Sequence, residues 1–463
     1  MKVEQIYTSC LSQGAYFIES NGEAAVIDPL REISNYLKLA EDSNSKIKYV
    51  FETHFHADFI SGHLTLANKT GAKIVYGPQA DPNFESIIAE DNQVFKIGAV
   101  TITAVHTPGH TLESTSYILK DENGKEHCIF TGDTLFLGDV GIPDVAQRYM
   151  GVSKEELAGI LYESVNNRIK PLPDNILVYP GHGAGSACGK NMMKETVDTL
   201  KNQKKINYAL NGSFSKEGFV KELTDNLPEP PTYFPSNVKL NQEGYLDFDK
   251  VLERGLIPLE LEKFIILSSQ ENAIILDVRN QNVFKNGFVP GSIFIGLNGG
   301  FAPWVGAVLK DINIKILLVC EESQAKEAIM RLSRVGFDNC LGYLKGGFKT
   351  WQNSSNPIDT IDSKSAKEFE KSINDNINIL DVRQVGERNN GYLKNSEHIP
   401  LALIDSDYKS LNKSLKYHIH CAGGYRSMIA CSILKKNGFD NTIDIEGGFG
   451  SISNNTSLEI LQN

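Results

Sequence analysis

THFHADFISGH, residues 53–63, decides the reading of the N-terminal half of this chain. It places His54, His56, Asp58 and His63 directly after the apolar run KIKYVF, which reads as a strand. Imidazole and carboxylate are good ligands for zinc and iron. His54 and His56 stand two residues apart at a strand end, so both can reach one point if the chain turns there. Outward from this stretch, the same residue types recur where later strands end. HTPGH (106–110) supplies His106 and His110, FTGDT (130–134) supplies Asp133, and YPGHG (179–183) supplies His182. The glycines beside them allow tight turns and close backbone approach.

Further strands are predicted at YFIES, AAVIDP, AKIVYG, AVTITAVH, STSYILK, HCIFTGD and NILVYPGH. Helical patterns lie at EISNYLKLAED, ISGHLTLANKTG and SKEELAGILYESV. Many strands with helices between them predict sheets covered by helices. Pro228, Pro230, Pro231 and Pro235 crowd into LPEPPTYFPSN and mark a domain edge.

Beyond that edge the chain repeats. ILDVR stands at 275–279 and 379–383, GFDN at 336–339 and 438–441, and GGF at 346–348 and 447–449. The offsets are 104, 102 and 101, in one order, which indicates a duplicated domain. Each copy has a strand that stops at a cysteine, KILLVC and KYHIHC, followed by a helical stretch that ends at glycine. Strands alternating with helices imply a parallel sheet. NSSNPIDTID reads as the linker between the copies. The expected domains are 1–245, 246–353 and 362–463.

Length and composition agree. The 463 residues fit about three domains. Hydrophobic residues are 41% and charged residues 22%, a globular balance. A net charge of −11 argues against a nucleic-acid partner. No apolar run is long enough for a membrane helix, and MKVEQIYTSC carries Glu4 before any apolar run, unlike a secretory leader. A cytoplasmic protein is expected. The seven cysteines are scattered without a CxxC, which predicts free thiols. Cys10, Cys128, Cys340 and Cys431 read as core.

THxHxD, PGH, GD and GH, in this order, resemble the metallo-β-lactamase superfamily over residues 1–240. The resemblance implies an αββα sandwich with metal at one edge of two sheets. The superfamily's fuller motif is THxHxDH, and Phe59 stands here in place of the last histidine, a ligand to the second metal. In the superfamily's persulfide dioxygenases, one iron is held by residues that match His54, His110 and Asp133. His56, Asp58 and His182 would then orient ligands and tune proton transfer. Two histidines and one carboxylate leave open positions, as in non-haem Fe(II) oxygenases. His63 and His106 read as structural. Cys188, six residues after His182, either approaches this pocket and carries sulfur or is a plain buried thiol.

HCAGGYRS (420–427) carries the second chemical signal. Its Cys-x-x-Gly-x-Arg-Ser form lies between a strand and a helix and resembles the rhodanese loop. ILDVR, EHIP and GGF fit that family too, so two rhodanese-like parallel α/β domains are expected. Sulfur transfer needs a thiolate, which backbone N–H groups and a helix N-terminus favour. Cys421 is the expected nucleophile. Gly423 and Gly424 permit the tight curl, Gly424 and Ser427 are expected to bind or support the substrate, and Arg426 is placed to stabilise the thiolate, its persulfide or an anionic substrate. The first copy reads CEESQAK, with Ser323 for Gly424 and Ala325 for Arg426. Glu321 and Glu322 put negative charge beside Cys320, which raises a thiol pKa. That copy is expected to be inactive.

A metallo-β-lactamase domain followed by two rhodanese copies resembles the fused persulfide dioxygenase–sulfurtransferases. This implies one Fe(II) per metal domain, with zinc as the alternative. The implied partners are a small-thiol persulfide, dioxygen, and sulfite or thiosulfate, with a homo-oligomer left open. Relatives carry arginine where Ile142 stands in GDVGIPDVAQRYMG (138–151), where it binds the thiol's carboxylate; without it the thiol stays open between glutathione, another thiol and inorganic polysulfide, and Arg148 is either a substitute or a surface residue. A zinc thioester hydrolase similar to glyoxalase II, and a sulfur-relay or sensor protein, are the competing readings.

Overall fold

The computed structural model describes every residue except 144–150, 226, 228–229, 375–376 and 463. The chain folds as two units, residues 1–248 with 333–336, and residues 249–332 with 337–463.

The first unit holds two six-stranded sheets. One runs in chain order through β1 (Lys2–Thr8), β2 (Gln13–Ser20), β3 (Glu23–Ile27), β4 (Lys46–Phe51), β5 (Lys73–Tyr76) and β6 (Ile87–Ile88). The other comprises β7 (Val94–Ile97), β8 (Val100–His106), β9 (Thr115–Lys120), β10 (Glu126–Gly132), β11 (Leu177–Pro180) and β12 (Asp198–Thr199), also side by side in chain order. Alternation along β3 shows why they stack. Ala25 and Ile27 pack with Ile102, Tyr117 and Phe130 of the facing sheet. Ala24 and Val26 point the other way and pack with Tyr36 and Ala40 of α1 (Ser34–Asp42) and Leu66 of α2 (His63–Thr70). On the far side, Ile118, Ile129 and Val178 pack with Ala158 and Leu161 of α3 (Lys154–Ser164). The unit is the expected αββα sandwich. The strand β1 is an addition: its KVEQIYT pattern has too few apolar residues to read as one, and it forms by pairing antiparallel with β2.

The second unit holds two five-stranded sheets whose strands, among the described residues, pair in parallel. The first orders β13 (Pro258–Leu259), β17 (Cys340–Leu344), β16 (Ile316–Val319), β14 (Ile274–Asp277) and β15 (Ile293–Phe294). The second orders β18 (Asp362–Lys364), β23 (Thr442–Ile445), β22 (Tyr417–His420), β19 (Asn378–Asp381) and β21 (Ser396–His398). A small pair, β20 (Tyr392–Leu393) with β24 (Ile460–Leu461), lies apart from it. The repeated motifs recur together because they touch. Arg279 forks onto buried Asp277 at 2.7 Å and covers the Phe348 ring of the first GGF at 4.2 Å. Arg383 forks onto Asp381 at 2.7 Å and covers Phe449 at 3.8 Å. Among the described residues, no helix is long and apolar enough to cross a membrane.

Candidate metal centre and cysteine loop

The loop after β4 turns His54 back toward the ends of β8 and β10. Thr53 directs this turn: its amide and hydroxyl both donate to Asp28, at 2.8 and 2.9 Å. Since the Thr53 hydroxyl hydrogen is spent on Asp28, its oxygen accepts from His54 Nδ1–H at 3.0 Å. His110 Nδ1–H likewise donates to the Ile142 carbonyl at 2.8 Å. Each ring thereby carries its proton on Nδ1 and leaves the Nε2 lone pair free. That is the tautomer a metal ligand needs, set by the partner of the other nitrogen. Ligand atoms of His54, His110 and Asp133 lie within 4.8 Å of one another, and all three residues are buried. Burial pushes His54 well below its ordinary pKa, which keeps the imidazole neutral.

Glycines let these groups converge. A Cβ on Gly141 would lie 2.1 Å from the Asp133 carbonyl oxygen, and one on Gly181 would lie 2.6 Å from Asp133 Oδ1. The donor set is chemically fit for iron or zinc: two imidazole nitrogens, one carboxylate, and a cradle too tight for side chains.

His182 stands between two carboxylates, donating from Nδ1 to Asp133 at 2.8 Å and from Nε2 to Asp58 at 2.8 Å. Burial alone would lower its pKa, yet Asp133 and Asp58 raise it well above the ordinary value. Burial also works against the Asp133 charge, but His182, His54 and His110 hold that carboxyl below its usual range. Cys188 joins this side: its sulfur and ligand atoms of Asp58 and His182 lie within 4.8 Å of one another.

His56 is brought beside His54, ring centroids 4.3 Å apart, but its Nε2 faces Asp28 Oδ1 at 3.1 Å. Phe59 packs against His56, ring centroids 4.3 Å apart and planes tilted by 33°, and puts a buried phenyl ring at the position of the missing histidine. His63 is buried near Glu52, and His106 Nε2 lies 2.9 Å from the Leu112 carbonyl. Ile142 is buried, and Arg148 lies outside the described residues. Thr53 opens the quoted motif THxHxD but carries no role there, and Asp28 and Glu52 are not site candidates in the sequence. Asp28 stands within AAVIDP, just after the strand, the one signal that marks it.

In the second unit, the cysteine loop curls between β22 and α4 (Tyr425–Lys436). Gly424 adopts φ 96°, and its amide donates to Cys421 Sγ at 3.1 Å. Ser427 Oγ lies 3.6 Å from the same sulfur. Arg426 lies within electrostatic reach of Cys421, but its guanidinium is held by both Glu387 oxygens at 2.6 Å. Glu387 had no sequence signal, since only the fold brings it to the loop. Trp304 of the first copy lies 5.9 Å from the Arg426 guanidinium, and Tyr425 donates to the Gly296 carbonyl at 2.6 Å. In the first copy, burial pushes Cys320 up to about 12, with Cys340, Asp277, Glu321 and Glu322 adding to the rise. Cys128, Cys340 and Cys431 are buried as expected; Cys10 is only half-buried, a correction, because it follows β1 in a turn where Arg334 donates to its sulfur at 3.1 Å.

Residues 9–182 match the family model described as the metallo-beta-lactamase superfamily, and residues 261–354 and 365–455 match the rhodanese-like domain. A probable hydroxyacylglutathione hydrolase of Schizosaccharomyces pombe is 32% identical over 168 residues, 35% of this chain and 60% of that protein. The mitochondrial persulfide dioxygenase of Mus musculus is 30% identical over 211 residues, 45% of this chain and 74% of that protein. The chain thus spans about three fifths of the length of the first hydroxyacylglutathione hydrolases it matches. Among solved structures, a metallo-beta-lactamase from Staphylococcus aureus subsp. aureus COL is 30% identical with a TM-score of 0.66, covering 74% of this chain and 98% of that one.

Proposed function

Because the chain belongs to the metallo-β-lactamase superfamily and carries rhodanese-like domains behind the metal fold, we propose that it oxidises a low-molecular-weight persulfide with dioxygen at a single iron and transfers sulfane sulfur through Cys421. The observation that carries this reading is the tautomer-locked trio of His54, His110 and Asp133 beside a phenyl ring at the second-metal position. The likeness to a persulfide dioxygenase and the Cys421 loop support it.

His54, His110 and Asp133 would hold the iron. When bound, iron supplies the redox chemistry with dioxygen that no side chain here can supply. The surrounding residues bind and orient. The Ile142 carbonyl and Thr53 hydroxyl fix the two rings. His182 holds a proton at Nδ1 against Asp133 and another at Nε2 against Asp58, a store of positive charge beside an anionic persulfide. Phe59 excludes water from one wall. The overall reaction balances as RSSH + O2 + H2O → RSH + sulfite + 2 H⁺. At Cys421, sulfane sulfur from a persulfide forms Cys–S–S⁻, and sulfite takes the outer sulfur as thiosulfate.

A second reading rests on its own observation. Asp58, His182 and Cys188 cluster, and hydroxyacylglutathione hydrolases are among the relatives. Cys188 would then replace the missing ligand of a second ion in a two-metal thioester hydrolase. The deciding experiment gives a glutathione persulfide to the Fe(II)-loaded protein and records oxygen uptake, sulfite and metal content. One iron per chain with oxygen uptake is expected. Two metal ions with thioester cleavage and no uptake would overturn the dioxygenase reading.

A further inference from the structure

The repeat allows one cysteine loop to be compared with the other. In the first copy, the Glu322 carboxylate accepts from the Gly346 amide at 2.9 Å. Gly346, at φ 71° and ψ 8°, precedes the helix Gly347–Gln352. Gly447, its counterpart at an offset of 101, has φ 72° and ψ 0° and precedes the helix Gly448–Asn455. The next glycines press against matching carbonyls. A Cβ on Gly347 would lie 2.7 Å from Cys320 O, and one on Gly448 would lie 2.3 Å from Cys421 O. The two backbones therefore share one arrangement here.

The side chains differ. Gly423 stands where the first copy has Glu322. A Cβ built on Gly423 meets nothing within 4 Å, so the side chain that Glu322 carries in one copy would start into open space in the other. That space borders the reactive sulfur. A Cβ on Gly424 would lie 3.2 Å from the Gly447 nitrogen, and the Gly424 amide is the group that donates to Cys421 Sγ. Arg426, the nearby cation, is already held by Glu387.

We propose that the Gly447 amide and the open space at Gly423 form the oxyanion subsite of the Cys421 centre, binding sulfite or thiosulfate where Glu322 binds in the first copy. The inference rests on the sulfurtransferase reading above. The Gly447 N–H holds one sulfite oxygen and turns the sulfur lone pair toward the outer sulfur of the Cys421 persulfide. A new S–S bond forms to sulfite and the Cys421 S–S bond breaks. Its electron pair returns to Sγ, which the Gly424 amide receives as thiolate: Cys–S–S⁻ + SO3²⁻ → Cys–S⁻ + S2O3²⁻. In the first copy, Glu322 occupies the equivalent subsite and excludes the anion.

The test is Gly423→Glu in the full chain, with Gly423→Gln as the uncharged match. Gly423 lacks a positive φ, so a side chain is tolerated there. Thiosulfate formation from sulfite and a small-thiol persulfide is followed, with iodoacetamide alkylation of Cys421 as a neutral probe. The Glu variant is expected to raise KM for sulfite about tenfold or more, the worth of a charge-assisted hydrogen bond. That rise should persist at about 0.5 M salt, where longer-range repulsion is screened. The Gln variant fills the same space without a charge and should raise KM by no more than the Glu variant, while the alkylation rates of both stay within about threefold of the unaltered chain. An unchanged KM in the Glu variant, or a rise in KM matched by slowed alkylation, would overturn the subsite. Absence of Cys421-dependent turnover in the unaltered chain would instead overturn the sulfurtransferase reading.

Discussion

Asp444 lies in β23 with its carboxyl buried, and among the described residues its Oδ1 has no hydrogen-bond partner. Burial pushes its pKa up to about 7. An unfolded chain releases this proton near pH 4. Between pH 4 and 7 the native state therefore binds more protons than the unfolded state, and stability falls as pH rises. The loss is complete above pH 7 and amounts to at most about 4 kcal/mol. Asp444→Asn removes the titration. Urea unfolding should show the variant gaining about 1–3 kcal/mol more at pH 8 than at pH 5. An equal effect at both values would show that this carboxyl titrates normally. At the same scale, the histidine types were legible in sequence, but their tautomers were not. Those depend on the bonds of Thr53, Asp28 and the Ile142 carbonyl, which a ligand pattern does not state.

At the scale of elements, α3 seats on the turn that carries His110. Ser153 caps the helix by accepting from the Glu156 amide, and Ser164 at its end donates to the Pro108 carbonyl at 2.7 Å. Between them Gly109, at φ 137°, meets the helix backbone: a Cβ there would lie 2.4 Å from Leu161 N and Cα. Backbone cannot swing aside as a flexible side chain can. Gly109→Ala should cost about 2 kcal/mol or more through strain and overpacking. It should also move His110 and lower retained iron severalfold after dialysis, since displaced ligands lose much of their affinity. Metal analysis beside thermal melting would check both effects; full iron retention would refute the coupling. PGH was readable as a motif, but the demand for glycine comes from a helix about fifty residues later.

At the scale of the whole molecule, the proposed metal ligands all belong to the first unit and the Cys421 loop to the second. Substitutions in separate sites are expected to act independently. His110→Ala should abolish oxygen uptake while Cys421-dependent sulfur transfer stays within about twofold. Cys421→Ser should keep uptake and release sulfite in place of thiosulfate. Oxygen electrode and product analysis would read both. Loss of uptake in Cys421→Ser would show that the cysteine feeds the metal site.

The sequence by itself determined which residue types stand at strand ends, the duplication, and the contrast between HCAGGYRS and CEESQAK. Such features are local: strand alternation, helix periodicity and turn glycines act over a few residues. Only the tertiary structure decided that His182 joins Asp133 to Asp58, 124 residues from the latter. It also decided that Cys188 stands beside them, that Glu387 claims Arg426, and that Glu322 fills a place left open at Gly423. Those pairings follow from strand order and loop course, which bring distant residues within hydrogen-bond reach and leave no periodic trace along the chain.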